Sequence, residues 1–192
     1  MPVITSLLIS SARYFFASCA QIFLATHTNH EMALLEKQLY IKKSTLPGAG
    51  KGLFTKRKIK KGTRIVEYKG EILTWKEVKK LADDRNGYVF YISSKRCIDA
   101  WNYKKALGRY ANDARGLGRI KGVKTNSEYV VDGKKCFIEV IRDIPAKSEI
   151  FVEYGKDYWT VVKENLEIDK KWEKKNGKKS KLPHHKATKR IN

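Results

Sequence analysis

A chain of 192 residues has room for one domain with extensions, and a domain of that size closes its own core without disulfide or metal staples. Seven Phe, ten Tyr and four Trp exclude a wholly disordered chain, while a formal charge of +21 asks for a polyanion among its contacts. Cys19, Cys97 and Cys136 are widely spaced, with no C-x-x-C pair for zinc and no regular disulfide pattern, so a reducing interior is the default.

The first thirty residues stand apart. Residues 3–9 and 14–25 are apolar, but Arg13 interrupts them and no basic residue precedes the first run. They make a poor signal peptide and too short a membrane span. Met32 then opens a polar, regular segment. The expectation is that the natural product begins at Met32 and that residues 1–31 are a poorly defined extension, from start-site choice or weak targeting.

From Leu39 the pattern is of short strands cut by glycine turns. Leu39-Tyr40-Ile41 leads into Pro47-Gly48-Ala49-Gly50-Lys51-Gly52, where closely spaced glycines let the backbone turn sharply and approach a ligand. A Walker loop needs Lys followed by Ser or Thr and a helix; here Lys51 is followed by Gly52-Leu53-Phe54 and a new strand. A plain turn and a binding loop both remain open for this cluster.

An internal echo follows. Residues 57–68, with Ile59, Ile65 and Tyr68, are matched by residues 142–154, with Ile144, Ile150 and Tyr154. Each reads as turn, buried strand, then a tyrosine close to glycine. Two copies fall short of a solenoid and suggest two similar strand units brought together in one small β domain.

Between them a helix is expected from Thr74 to the stop at Asn86-Gly87. Thr74 and Glu77 have capping-box spacing, and Trp75, Val78, Leu81 and Ala82 share a face. Residues 88–92 and 96–100 read as strands, and Cys97 and Cys136 as buried inert thiols in apolar runs. Residues 128–130 and 136–140 read as the arms of a hairpin turning at Gly133, and residues 115–125 as a loop. A short helix is expected over residues 159–166. Residues 170–192 carry nine Lys and one Arg against one Glu, which reads as a solvated, mobile tail. Such a tail is a solubilising end, a nucleic-acid contact or a nuclear-import signal. The fold class is mostly β with some α, organised as residues 1–31, a domain over 37–158, and a helix and basic tail over 159–192.

Five short motifs carry a resemblance. Gly50-Lys51-Gly52-Leu53-Phe54, Tyr68-Lys69-Gly70, Ile98-Asp99-Ala100, Arg109-Tyr110-Ala111-Asn112 and the run from Glu149 to Gly155 resemble, in order and approximate spacing, the motif set of the SET-domain protein lysine methyltransferases. The match runs from about Leu39 to Tyr158. It implies short β-sheets around a pseudoknot where the Asn112 segment meets the strand ending at Tyr154. It implies S-adenosyl-L-methionine as cofactor, with Lys51, Gly52, Arg109, Tyr110 and Asn112 near it, Tyr154 as the active-site phenol and Tyr68 as a wall of the lysine channel. Trp159 and Tyr158 are the expected closure of that channel, with Trp159 able to stack on adenine. The family's chemistry uses no metal.

Departures are equally specific. Where the family commonly has Asn-His-Ser, this chain has Asn112-Asp113-Ala114, and the later asparagine falls at Asn126 after a long loop. Val152 stands where many members carry Tyr or Phe. Glu149 and Glu153 read as surface or salt-bridge groups, Asp99 as a turn residue or a site residue, and Tyr68 equally as a half-buried strand tyrosine. The resemblance implies a lysine-containing protein substrate, histone-like or otherwise basic, and an intracellular, membrane-free setting: nuclear or chromosome-associated in a eukaryote, cytoplasmic in a bacterium. Like charges oppose a bare basic substrate, and a tail on nucleic acid would relieve that. Two other readings compete, a SET-like binding module with weak catalysis and a basic nucleic-acid-binding β domain.

Overall fold

Among the residues that the structure, a computed structural model, describes (34–81, 87–177 and 189), ten short strands carry the fold. In chain order they are β1 (Leu39–Lys43), β2 (Lys51–Thr55), β3 (Arg64–Glu67), β4 (Glu71–Leu73), β5 (Val89–Ser93), β6 (Arg96–Asp99), β7 (Asn112–Asp113), β8 (Ser127–Asp132), β9 (Lys135–Val140) and β10 (Phe151–Val152). The helices are α1 (Trp75–Val78) and α2 (Lys156–Asn176). The mostly β reading with some α holds. The proposed artefact at residues 1–31 lies outside the described residues.

Strands β1 and β2 form an antiparallel pair from Leu39 opposite Thr55 to Lys43 opposite Lys51, with the glycine loop between them. Two antiparallel three-stranded sheets follow, in the orders β3-β9-β8 and β4-β6-β5. Strand β9 alternates as a half-buried strand must, with Cys136, Ile138 and Val140 buried. It reaches β8 through Gly133-Lys134, and Gly133, at φ 58°, takes the left-handed conformation that a two-residue hairpin needs. One core gathers Leu53, Ile65, Val66, Ile138, Ile144, Ile150 and Val152 from four strands and their joints. Each such side chain contributes roughly 1.5–3 kcal/mol by leaving water.

The two halves of the sequence echo meet in space. Ile59 and Ile144 exchange both backbone hydrogen bonds at 2.9 Å, so the repeated motifs face each other as an antiparallel bridge. Beside them Asp143 accepts from the Lys61 N–H at 3.0 Å and pairs with Lys58 and Lys60 at 2.9 and 3.3 Å. These donors hold its carboxyl well below the usual carboxylate range, led by the backbone N–H.

Helix α1 is shorter than expected. The capping box forms, with Glu77 Oε2 accepting from the Thr74 N–H at 2.7 Å, and Val78 is buried while Trp75 meets the Tyr91 ring edge-on. After the Lys79 N–H bonds to Trp75, the next donors, Lys80 and Leu81, bond only three residues back, to Glu77 and Val78. The helix tightens into a turn once Val78 has been buried. Ala82, expected on its apolar face, lies outside the described residues.

Helix α2 departs the other way. It runs 21 residues, through the segment expected to be a solvated tail, and closes at Gly177 with φ 64°. No Gly or Pro interrupts residues 156–176, Glu167 stands one turn before Lys171, and Lys174 and Lys175 sit at the negative end of the helix dipole. Lysine and glutamate are good helix formers, so the composition that reads as tail also reads as helix. None of the described helices is long and apolar enough to cross a membrane.

Candidate active site

The site is assembled by the pairing of two strands of two residues each. β10 lies parallel to β7, with Phe151 opposite Asn112 and Val152 opposite Asp113, as expected of the Asn112 and Tyr154 segments. Asn126 clamps the incoming strand: its Nδ2 donates to the Glu149 carbonyl at 2.9 Å and its Oδ1 accepts from the Phe151 N–H at 2.8 Å. Tyr154 follows directly. Its N–H donates to Asp113 Oδ2 at 2.9 Å and its hydroxyl to the Ala111 carbonyl at 2.9 Å, so ring and backbone are both tied to β7 and its approach.

A cleft of about 790 Å3 opens beside this pair, walled by the glycine loop, Arg109, Asn112, Tyr154 and Trp159. At the glycine-loop end the groups are polar. Glu149, only 4% exposed, accepts from Ser44 Oγ at 2.7 Å, the Thr45 N–H at 2.7 Å and Thr45 Oγ1 at 2.6 Å. Asn112 Nδ2 reaches the same carboxylate at 3.3 Å and the Lys51 carbonyl at 3.0 Å. Gly52 must be glycine, because a methyl group there would overlap the Glu149 carboxylate. The buried carboxylate is therefore the post to which loop and asparagine are fixed. Gly48 and Gly50, at φ 73° and 68°, line the cleft with backbone and no side chain.

Arg109 spans the middle. Its guanidinium stacks 4.1 Å from the Tyr88 ring centre and 5.2 Å from Tyr110, and its buried Nε has no hydrogen-bond partner in the structure. A buried donor without an acceptor is costly, and an anionic group in the cleft would satisfy it.

The other end is aromatic. Tyr68, buried, donates its hydroxyl to the Tyr88 carbonyl at 2.8 Å. Tyr154 stacks on Trp159 at 6.0 Å and 9° and meets Tyr158 edge-on at 4.9 Å. Trp159 Nε1 donates to Asp113 Oδ2 at 2.7 Å, and the Arg115 N–H donates to the other oxygen at 2.7 Å. Gly116 lies against the Trp159 ring, where a methyl group would overlap it. Burial pushes the phenols of Tyr68 and Tyr154 well above their usual range and Tyr158 up to about 12, so all three stay protonated at neutral pH.

Among these rings lies the side chain of Lys189, 1% exposed. Its Nζ sits 4.0 Å from the Tyr154 ring centre and 5.5 Å from Tyr68. Its backbone pairs with the edge of β5: the Tyr91 N–H donates to the Lys189 carbonyl at 2.7 Å, and the Lys189 N–H to the Val89 carbonyl at 3.0 Å. Burial first, then the positive charge of Arg109, pushes its amine down to about 7. The expectation of a wholly solvated tail is corrected here as well.

Comparison with known proteins agrees with this geometry. The SET-domain family profile matches residues 50–155. The chain belongs to the SET-domain family. It is similar to N-lysine methyltransferase KMT5A-A of Danio rerio, 29% identical over 120 residues, covering 57% of this chain and 33% of that protein. It is also similar to histone-lysine N-methyltransferase ASHH1 of Arabidopsis thaliana, 37% identical over 71 residues, covering 34% of this chain and 14% of that one. Among solved structures, the methyltransferase domain of human PR domain-containing protein 2 aligns with a TM-score of 0.47 at 21% identity, over 76% of this chain and 95% of that one. The chain spans a third or less of the length of the curated relatives named here.

Within this SET domain, Lys51, Arg109, Tyr110, Asn112, Tyr154 and Trp159 all line the cleft. Gly52 and Tyr68 do not. Gly52 is buried against Glu149, and Tyr68 is buried with its ring centre 5.5 Å from the Lys189 amine. Asp99 closes a turn, accepting from the Trp101 N–H at 2.9 Å. Glu153 pairs with Arg115 as a salt bridge, as expected. Glu149 is no surface group, because its carboxylate answers buried hydroxyls that its local sequence does not reveal. Asp113, which departs from the Asn-His-Ser pattern, holds Tyr154, Trp159 and Arg115 together. The replacement of histidine by aspartate next to Asn112 was the available signal; its partner, Trp159, was visible but not paired with it.

Proposed function

We propose that this SET domain transfers a methyl group from S-adenosyl-L-methionine to the side-chain amine of a lysine in a protein. The observation that carries this is the parallel β7–β10 pairing, which gathers Asn112, Arg109 and the phenol of Tyr154 on one cleft. The glycine loop, Asn112 and Arg109 suit the cofactor's amino-acid end, since the orphaned Arg109 Nε would donate to its carboxylate. Trp159, half-buried on the cleft wall, is the surface for its adenine. Bound there, the cofactor supplies an electrophilic methyl on a positive sulfonium.

The chain's own residues then have two tasks. A lysine enters as an ammonium with an ordinary pKa of about 10.4 and must lose its proton before it can attack. Burial between Tyr68 and Tyr154, and the charge of Arg109, favour the neutral amine. Tyr154, kept protonated and held at both N–H and hydroxyl, fixes the amine's approach, so catalysis is chiefly alignment. The edge of β5, which pairs here with the Lys189 backbone, suits a substrate in extended conformation, added as a further strand in its place. A basic protein segment is the substrate class, in keeping with the naming of the relatives as N-lysine and histone-lysine methyltransferases.

Incubation with methyl-labelled S-adenosyl-L-methionine and mixed basic proteins tests the reading. Label on lysine that is lost with Tyr154→Phe is expected. Cofactor binding without transfer would replace the enzyme by a binding module, and binding of neither would end both.

A further inference from the structure

A buried lysine needs a reason. Lys189 is among the largest fully buried side chains, and the nearer of the two rings against its amine, Tyr154, walls the cleft. Burying an ammonium costs several kcal/mol unless its charge is answered, which two ring faces do only in part. A residue whose sole task was to fill this space would be apolar.

The backbone adds a second, independent observation. Sheet order β4-β6-β5 leaves β5 as an edge, and Lys189 occupies that edge by two hydrogen bonds in a parallel bridge with Phe90. Main-chain pairing on a sheet edge with one side chain inserted into a pocket is how an extended peptide is held for recognition. Lys189 thus combines three features of a bound substrate: extended backbone on an edge strand, side chain between Tyr68 and Tyr154, and amine in the cleft that Asn112 also lines.

We propose that Lys189 is a methylation site of this chain, an acceptor presented to the chain's own active centre in cis by strand pairing with β5. This rests on the function proposed above. The lone pair of Lys189 Nζ forms the new N–C bond to the sulfonium methyl of S-adenosyl-L-methionine. The C–S bond breaks, its electron pair stays on sulfur to give a neutral thioether, and the amine's proton leaves to water. The amine stands ready for this, since burial and Arg109 lower its pKa to about 7 against the ordinary 10.5. Until it is released, Lys189 also competes with any other lysine for the same channel.

Two experiments on the full chain test this. In the first, without cofactor, amines are labelled with formaldehyde and a borane, and Lys189 is compared with the exposed Lys104 by peptide mass mapping. Lys189 is expected to react at least tenfold more slowly in the native chain and equally fast in urea; equal rates in the native chain would overturn the docked state. In the second, the chain is incubated with trideuteromethyl S-adenosyl-L-methionine and an added basic protein. Fragmentation of the peptide spanning residues 174–192 then locates the label. Expected are trideuteromethyl groups on Lys189 at a per-chain rate unchanged by tenfold dilution, and severalfold faster labelling of the added protein by Lys189→Ala. Tyr154-dependent label on the added protein with none on Lys189 would overturn this inference and leave the enzyme standing. A Lys189 rate that falls with dilution would overturn presentation in cis. No label anywhere, without cofactor binding, would remove both readings.

Discussion

At one end of the cleft Glu149 accepts from Ser44, Thr45 and Asn112; at the other, the ring of Tyr154 and, outside the cleft lining, the ring of Tyr68 stand against the Lys189 amine. The first end fixes its backbone by directional bonds to a buried charge, and so suits a ligand recognised by polar atoms. The second offers few directional partners and low polarity, and so suits a side chain that must shed a proton. Asp113 ties the aromatic end together, its Oδ2 accepting from both the Tyr154 N–H and the Trp159 indole. The charge that organises each end is spent on the scaffold rather than on the reacting amine.

That contrast is open to attack at each end. Glu149→Ala should have the largest effect, because three loop donors and the Asn112 amide lose their acceptor. About 3 kcal/mol of stability should go, with loss of S-adenosyl-L-methionine binding, read by urea denaturation and calorimetry. Tyr154→Phe should strike the aromatic end while leaving cofactor affinity intact. Transfer should fall on the order of a hundredfold, for about 1 kcal/mol of stability as the Ala111 carbonyl loses its donor. A Tyr154→Phe chain that lost cofactor binding equally would show that the two ends are not separate.

Asp113→Asn tests the joint. An amide accepts through one oxygen only, so either Arg115 loses its partner or Trp159 and the Tyr154 N–H both do, at about 1–2 kcal/mol, with lower affinity for cofactor and slower transfer together. The smallest effect is one of pH. The docked Lys189 amine titrates near 7, below its ordinary 10.5, so between those values the docked state holds fewer protons than the released one. Docking therefore strengthens as pH rises through that window, by up to about tenfold per unit, and is level below it. The groups facing the amine from other elements are Arg109, Asp113, Cys136, Tyr68 and Tyr154. Of these, burial holds the thiol and both phenols above the window's lower half. The protection factor of the Tyr91 amide, corrected for intrinsic exchange, reports it; protection that falls from pH 7 to 8 would contradict the docked amine.

Much of this was legible in the chain because the governing interactions are local. The Thr74 and Glu77 capping box, the Gly133 hairpin and the alternation of β9 each declare themselves within a few residues. The echo around Ile59 and Ile144 went further, announcing a contact between distant segments that the structure contains. What stayed hidden depends on partners far apart in sequence. Glu149 reads as a surface acid until Ser44 and Thr45 are brought to it, and Lys189 reads as one of many tail lysines until β5 offers an edge. Composition misled over α2, since lysine and glutamate serve a helix as well as a tail.

The Ile59–Ile144 bridge also has a bearing on how the protein is made. It joins segments separated by on the order of eighty residues, so its chain-closure entropy must be spent before β10 is delivered to β7. The cleft is accordingly among the last parts to mature. A nascent chain still lacking residues 142–155 has neither β10 nor Tyr154, so the cleft wall cannot close until that segment has been made.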